Sequence, residues 1–331
     1  MSAGKRLPFV DRRPILGRRR TIPAHREMTL CIAARMFDNA TKTGAIITVS
    51  DTNLSSATTA LDLGSVKVER LIGAEAWSSW LCMYSGDPTT HTKLLHYIRT
   101  SLDAATRWSH ADVMTILEDA YTAVVDREVE RRISPRQFGI ASLADLSTPQ
   151  YAGHNTLIST LMDLEIKTRE TVLNELCVDP TNLLVCGFDG NNEPHIISTD
   201  AVGNCTSHDA YAFHAIGINA DSAMAWLRAH NDFRYTGKFL ETVYRLCEAK
   251  FVAEDDKYIG KATVACVWTS GGTVSLAVIH DPAIPSQSQA VRIAFEASRW
   301  QKIAQPALDE IERQLKANQV TPPTTPPTFQ A

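Results

Sequence analysis

Apolar and polar positions change their period several times along the chain, and those changes divide it into elements. From Thr29, TLCIAARMF and AIITVSD are two β-rich apolar runs on either side of the polar reversal DNATKTG, which predicts a hairpin. SVKVERLI and SSWLCMYS, separated by GAEAW and punctuated by Gly73 and Gly86, predict a second. The period then lengthens. Over 88–105 and 109–133 apolar residues recur at helical spacing (Leu94, Leu95, Ile98 and Leu102, then Val113, Ile116, Leu117, Ala120 and Val124), which predicts two long helices. A loop opened by Ser134–Pro135 leads into a mixed helical pattern over 156–177. Short β-runs return in LLVCGFDGNNEPHIISTDAVGNCTSHDAYAFHAIG, where DGNNEP and DAVGN carry tight-turn chemistry, and a meander of three or four strands is expected. Residues 219–253 predict two helical pieces split near Tyr235–Thr236–Gly237. KATVACVWTS and TVSLAVIH predict a last hairpin, and 288–316 a long amphipathic helix.

Hairpins, helix pair, meander, helix pair, hairpin and helix, in that order, suit sheets packed on one another with helices outside. The fold class expected is α+β, and a four-layer αββα sandwich accommodates every element. The two ends read differently from the middle. Residues 1–28 are Arg-rich and broken by Pro8, Pro14 and Pro23, and 319–331 is a Pro/Thr tail. The expected organisation is a basic extension or pro-segment over 1–28, a single domain over 29–318 with a helical insertion near 134–178, and a disordered tail. The basic segment has three readings: a pro-segment removed on maturation, a flexible basic arm, or sequence upstream of a true start at Met28.

Composition narrows the function classes. Hydrophobic residues make up 44% of the chain, ample for a buried core, while a net charge of -4 argues against a nucleic-acid binder relying on overall positive potential. The seven cysteines are scattered singly with no metal-type spacing, as buried free thiols in a reducing cytoplasm would be. No apolar run is long enough to span a membrane, and the basic N-terminal segment lacks the apolar centre of a secretory signal. The histidines show no HExxH pairing, and no GxGxxG or Walker-type loop occurs, so neither metal nor cofactor is expected. Arg127, Arg131, Arg132 and Arg136 interleave with Asp126, Glu128 and Glu130 as on a solvated helix face.

The run from Thr29 resembles the proteasome β-subunits and their bacterial heat-shock relative, a family of N-terminal-nucleophile hydrolases in which a strand begins at the catalytic threonine. TLCIAA is similar to the family's opening strand. VSD, ending on Asp51, is similar to its second-strand end, GSVKVERL with Lys67 to its lysine strand, and MYSGD with Gly86 to its glycine turn before the first helix. The Asp51-to-Lys67 interval matches the family's, and the Thr29-to-Asp51 interval is longer. LLVCGFDGNNEPHIISTDAVGN and AFHAIGINADSAMAWL resemble its meander and following strand-to-helix turn, so the likeness covers roughly 29–281.

That resemblance implies an acyl-transfer site. A threonine hydroxyl needs a base within reach, and in this class the base is the α-amine of the same residue, so Thr29 must become the first residue through Met28 removal or processing. Lys67 would lower the pKa of the site, Asp51 would hold Lys67, and the Gly86 N–H would meet the developing oxyanion. The implied activity is a threonine-dependent peptidase or small-amide hydrolase, self-assembled into a ring-like homo-oligomer, with any unfoldase partner unidentified. The chain departs from the family at two points. Ile218 and Asn219 follow the glycine of IGIN where a serine is usual, and EDDKYIGK supplies Asp255, Asp256 and Gly260 but no serine. Each residue also has a plainer reading: Thr29 as a strand threonine, Asp51 and Lys67 as a structural ion pair, Gly86 as a turn glycine. A non-catalytic subunit of the same fold is the alternative function, and a domain tethered to nucleic acid by the basic arm is a third.

Overall fold

The computed structural model describes residues 29–38, 43–51, 53–56, 59–62, 68–71, 80–102, 108–147, 155–230, 239–254, 259, 262–270, 274–280 and 305–317. The expectations for 1–28 and 319–331, for Lys67, and for Asp255, Asp256 and Gly260 lie outside them, as does most of the predicted closing helix.

The first hairpin is β1 (Leu30–Asp38) and β2 (Thr43–Ser50), paired antiparallel from Cys31↔Ser50 to Asp38↔Thr43. The stretch after Asp51, expected as a loop, contains a small ladder of β3 (Asn53–Ser56) and β4 (Thr59–Asp62), whose short polar runs give no clear strand period. β5 (Glu69–Arg70) and β6 (Trp80–Ser85) form the second hairpin, with Glu69 opposite Cys82. Two helices follow, α1 (Pro88–Ser101) and α2 (His110–Ile133). Two short 3₁₀ turns lead to α3 (Asn155–Val178), which places the mixed 156–177 pattern firmly in a helix.

The meander proves to be three strands, β7 (Asn182–Phe188), β8 (Pro194–Thr199) and β9 (Cys205–Ser207). The next strand, β10 (Phe213–Gly217), leaves that sheet and pairs with β1. α4 (Ala220–Ala229), α5 (Phe239–Ala253), β11 (Thr263–Thr269), β12 (Val274–His280) and α6 (Gln305–Ala317) complete the described elements. The molecule is thus mixed α+β, with one five-stranded antiparallel sheet ordered β10-β1-β2-β11-β12 and another ordered β5-β6-β7-β8-β9.

Strand alternation explains the core. Along β1, Leu30, Ile32, Ala34 and Met36 join Val243, Leu246, Phe251 and Ile311 of α5 and α6, while Cys31 and Ala33 join Leu81, Met83, Leu184 and Ile196 of the other sheet. Both faces are therefore covered, and the strand reads as an almost unbroken apolar run. Trp80, Cys82, Leu183, Val185 and Ile197 turn the opposite way and pack with residues of α1 and α2. Each fully buried Leu or Ile contributes on the order of 1.5–3 kcal/mol relative to exposure. β1 is consequently anchored on both faces from Leu30 to Met36.

Candidate active site at the start of the first strand

Thr29 immediately precedes β1 and is 4% exposed. Its carbonyl accepts the Ile218 N–H at 3.0 Å, just past the Leu30↔Gly217 pair. Gly217 has φ of +103°, and a Cβ built there would stand 1.8 Å from the Thr29 carbonyl oxygen and 3.2 Å from Ser85 Oγ. Only glycine allows this approach. The same numbers put the Ser85 hydroxyl and the Thr29 carbonyl close to one point, so the end of β6 reaches the start of β1. Cys31 carries the contact one step further, its thiol lying 3.8 Å from the Tyr84 carbonyl oxygen.

Asp51 follows the last residue of β2 and is fully buried. Its Oδ1 accepts the Leu30 N–H at 3.3 Å, so its carboxylate lies against the peptide that joins Thr29 to Leu30. This proximity follows from the hairpin register, since Cys31 faces Ser50. Gly86 sits at the corner between β6 and α1 with φ of +116°, where a Cβ would meet the Pro180 carbonyl oxygen at 1.9 Å. The corner is fixed from both sides. Asp87 caps α1 by accepting the Thr89 and Thr90 N–H groups at 3.2 and 2.8 Å, and the Asp87 N–H donates to Thr181 Oγ1 at 3.1 Å. Burial works to raise the Asp87 pKa, but the Thr90 hydroxyl and the Thr90 and Thr89 N–H groups outweigh it and hold the carboxyl below its ordinary value.

Thr29 and Asp51 therefore meet at the start of β1, with Ser85 beside the threonine carbonyl and Gly86 next along the chain. Lys67 lies outside the described residues. Sequence reasoning missed Ser85 and Gly217: a serine at a strand end carries no signal of its own, and Gly217 was visible only as a turn glycine. In place of a serine after that glycine, Asn219 takes a left-handed conformation with φ of 54°. Its amide donates to the Ala253 carbonyl at 2.9 Å, and Ser222 Oγ donates to its Oδ1 at 2.5 Å. Ser270 stands away from this group, bonded to Gly44 at the opposite end of β2.

Further along β1 the surroundings have a different character. His214 on β10 faces Ala33, and its ring stacks on His208 at 3.5 Å between centroids. His208 Nε2 lies 2.8 Å from Ser198 Oγ. Burial pushes the His208 pKa down to about 4, with Asp209 opposing. Burial, helped by the charges of His208 and Arg228, pushes His214 down to about 3. Both rings are neutral at neutral pH, which lets them stack.

No family model matches the chain, and no curated protein matches it. Among solved structures it is similar to Anbu (ancestral beta-subunit) from Yersinia bercovieri, with a TM-score of 0.53 at 11% identity over 82% of this chain and 94% of that one. It also matches the Anbu (Gly-1) mutant from Hyphomicrobium sp. strain MC1, with a TM-score of 0.47 at 10% identity over 87% of this chain and 96% of that one. No described helix is long and apolar enough to cross a membrane. With no family or curated match, a likeness at 11% identity shows a fold alone, which corrects the assignment to the bacterial-type proteasome β-subunit-like hydrolase family. The residues that suggested it (a threonine opening a strand, an aspartate closing one, a glycine before a helix) are placements a backbone architecture can impose without a common chemistry. What the chain shares with the Anbu protein of Yersinia bercovieri is its fold.

Proposed function

We propose that the protein is a proteasome-like, threonine-dependent amide hydrolase acting on peptides or small amides, with Thr29 as nucleophile once it is the first residue. The observation that carries this reading is the convergence on Thr29. The Asp51 carboxylate lies at the Leu30 N–H, and Gly217 and Ser85 close on the Thr29 carbonyl. In the reaction the α-amine of Thr29 accepts the proton of its own hydroxyl as Oγ1 attacks the substrate carbonyl carbon. The Gly86 N–H meets the oxyanion, and the proton passes to the leaving amine as the amide C–N bond breaks. Water then hydrolyses the ester and restores the hydroxyl. The same reading gives Lys67 the part of the cation that lowers the pKa of the site, and Asp51 the part of balancing it.

The packing of α4, α5 and α6 on one sheet and of α1 and α2 on the other supports reading the architecture as a four-layer αββα sandwich. With it goes a single domain over 29–318 carrying a helical insertion near 134–178. Self-association into a ring, with residues 1–28 removed, belongs to the same reading, and seven free cysteines suit a cytoplasmic location. The test is to determine the N-terminus of the protein from its own cell, then assay a chain beginning at Thr29 on fluorogenic peptide amides while light scattering gives its mass. Activity that requires Thr29 as first residue, in an oligomer, supports the proposal.

The Asn219 contacts favour a second reading, a non-catalytic subunit of the same fold, because its side chain is engaged with Ser222 and Ala253 where a serine hydroxyl would otherwise support the amine. A ring of correct mass that turns over no amide and is not acylated at Thr29 would decide for it.

A further inference from the structure

At the far end of β1 a second polar group is built independently of Thr29. The turn between β7 and β8 begins at Asp189, whose Oδ1 accepts the Asn191 and Glu193 N–H groups at 2.8 and 2.9 Å. Its other oxygen, Oδ2, stands 3.6 Å from His195 Nε2. His195 is 7% exposed, and its ring stacks against His110, with 4.7 Å between centroids and an interplanar angle of 12°, so its plane is fixed.

His195 Nδ1 lies 2.7 Å from Asp209 Oδ2. Burial works to raise the Asp209 pKa, but the His195 hydrogen bond, the Arg35 charge and the Ile196 N–H outweigh it and hold the carboxyl below its ordinary value. That bond holds the ring with its other nitrogen, Nε2, turned toward Asp189. That buried Nε2 has no hydrogen-bond partner among the described residues and stands against the Asp189 carboxylate, and a cation between the two would satisfy both.

We propose that Asp189, Glu193 and His195 bind one divalent transition-metal ion of the zinc class, with Asp209 as the positioning residue for His195. One ligand atom from each of the three lies within 4.8 Å of the others. With metal–ligand distances of about 2.1 Å, the 3.6 Å between Nε2 and Oδ2 corresponds to an angle at the metal of about 120°, close to tetrahedral. A carboxylate fixing the protonated nitrogen of a ligating imidazole is the usual outer support of such sites. The charges agree: Asp189, Glu193 and Asp209 outnumber the nearby Arg35. That guanidinium is held chiefly by the Pro194 and Asp209 carbonyls, at 2.6 and 2.8 Å, against 3.5 Å to Glu193 Oε1. One imidazole with carboxylates selects zinc-class ions over magnesium. Bound there, the ion would tie the β7–β8 turn, through His195 and Asp209, to the segment before β10.

The experiment uses tag-free full-length protein stripped with a chelator and titrated calorimetrically with Zn²⁺, Mn²⁺ or Mg²⁺, with thermal unfolding in parallel. The proposal expects one Zn²⁺ per chain, bound at least about tenfold more tightly than Mg²⁺, and a rise in Tm on loading. It expects binding weakened at least about tenfold in His195→Gln and Asp189→Asn, and by about tenfold in Asp209→Asn, with helical ellipticity retained. Glu193→Gln, at a side chain 43% exposed, is the variant to read if the buried substitutions unfold the protein, and it too should weaken binding. Absence of saturable Zn²⁺ binding, or binding indifferent to the substitutions in folded protein, would overturn the proposal.

Discussion

The two ends of β1 are built from different materials. At its start, the contacts described around Thr29 involve backbone: the Ile218 N–H on its carbonyl, the Leu30 N–H on Asp51, and Gly217 where any side chain would collide. Towards its other end Arg35, His195, Asp209, Asp189 and the His208–His214 pair meet through side chains that carry or could carry charge. A backbone-built site is specified by sterics and tolerates no added atoms. A site built from ionisable side chains is specified by electrostatics and answers to protons and cations. Substitution by size should therefore break the first, and pH or ions should move the second.

The largest effect is expected at the proposed nucleophile. In a chain beginning at residue 29, Thr29→Ala should lower amide hydrolysis by about a thousandfold or more while the circular dichroism spectrum is unchanged, and Thr29→Ser should keep measurable activity. Retained hydrolysis in the alanine variant would remove the catalytic half of the comparison.

Next in size are the glycines. Gly217→Ala places a Cβ against the Thr29 carbonyl at a positive φ, and a loss of about 3 kcal/mol or more is expected in urea unfolding, with Gly86→Ala comparable because of Pro180. A shift of only a few tenths would show that these corners yield.

The histidine pair predicts acid sensitivity at the other end. Its folded pKa values lie near 4 and 3, below the ordinary histidine value, so the unfolded chain takes up protons first as pH falls below about 6.5. Stability should then drop by up to about 1.4 kcal/mol per pH unit for each histidine, until the pH reaches the folded values. Urea midpoints at pH 7.5 and 5 measure this, and His208→Gln should flatten the slope. An unchanged slope would sever the link to the pair.

Smallest is Asp209→Asn, expected to cost about 1–2 kcal/mol near neutral pH through its bonds to His195 and the Ile196 N–H. The Asp209 contribution is present above the ordinary carboxylate range and lost as pH falls through its lowered folded pKa. The difference between wild type and variant, measured by urea unfolding, should therefore shrink in strong acid.

Much of the secondary structure was legible because period reports burial directly. The β1–β2 hairpin, α1, α2 and the β11–β12 pair occupy the stretches their patterns predict. β3 and β4 were not, their residues being short and polar, and neither was the departure of β10 from the meander, since a short apolar strand reads alike whichever sheet receives it. At the candidate site, Thr29, Asp51 and Gly86 could be picked out as strand-end and turn residues, but Ser85 and Gly217 acquire meaning only when β6 and β10 converge on the start of β1. The histidines carried no motif at all. His195 and Asp209 lie on opposite sides of the β8–β9 hairpin and meet only when it forms.

By itself, then, the sequence determined the longer strands and helices and where the chain must turn between them, because those follow from local periodicity and from the conformational limits of glycine and proline. The tertiary structure alone decided which sheet β10 joins, which glycine presses on the Thr29 carbonyl, and which carboxylates face His195. Those depend on packing between segments far apart in the chain, about which the local pattern of any one segment carries almost no information.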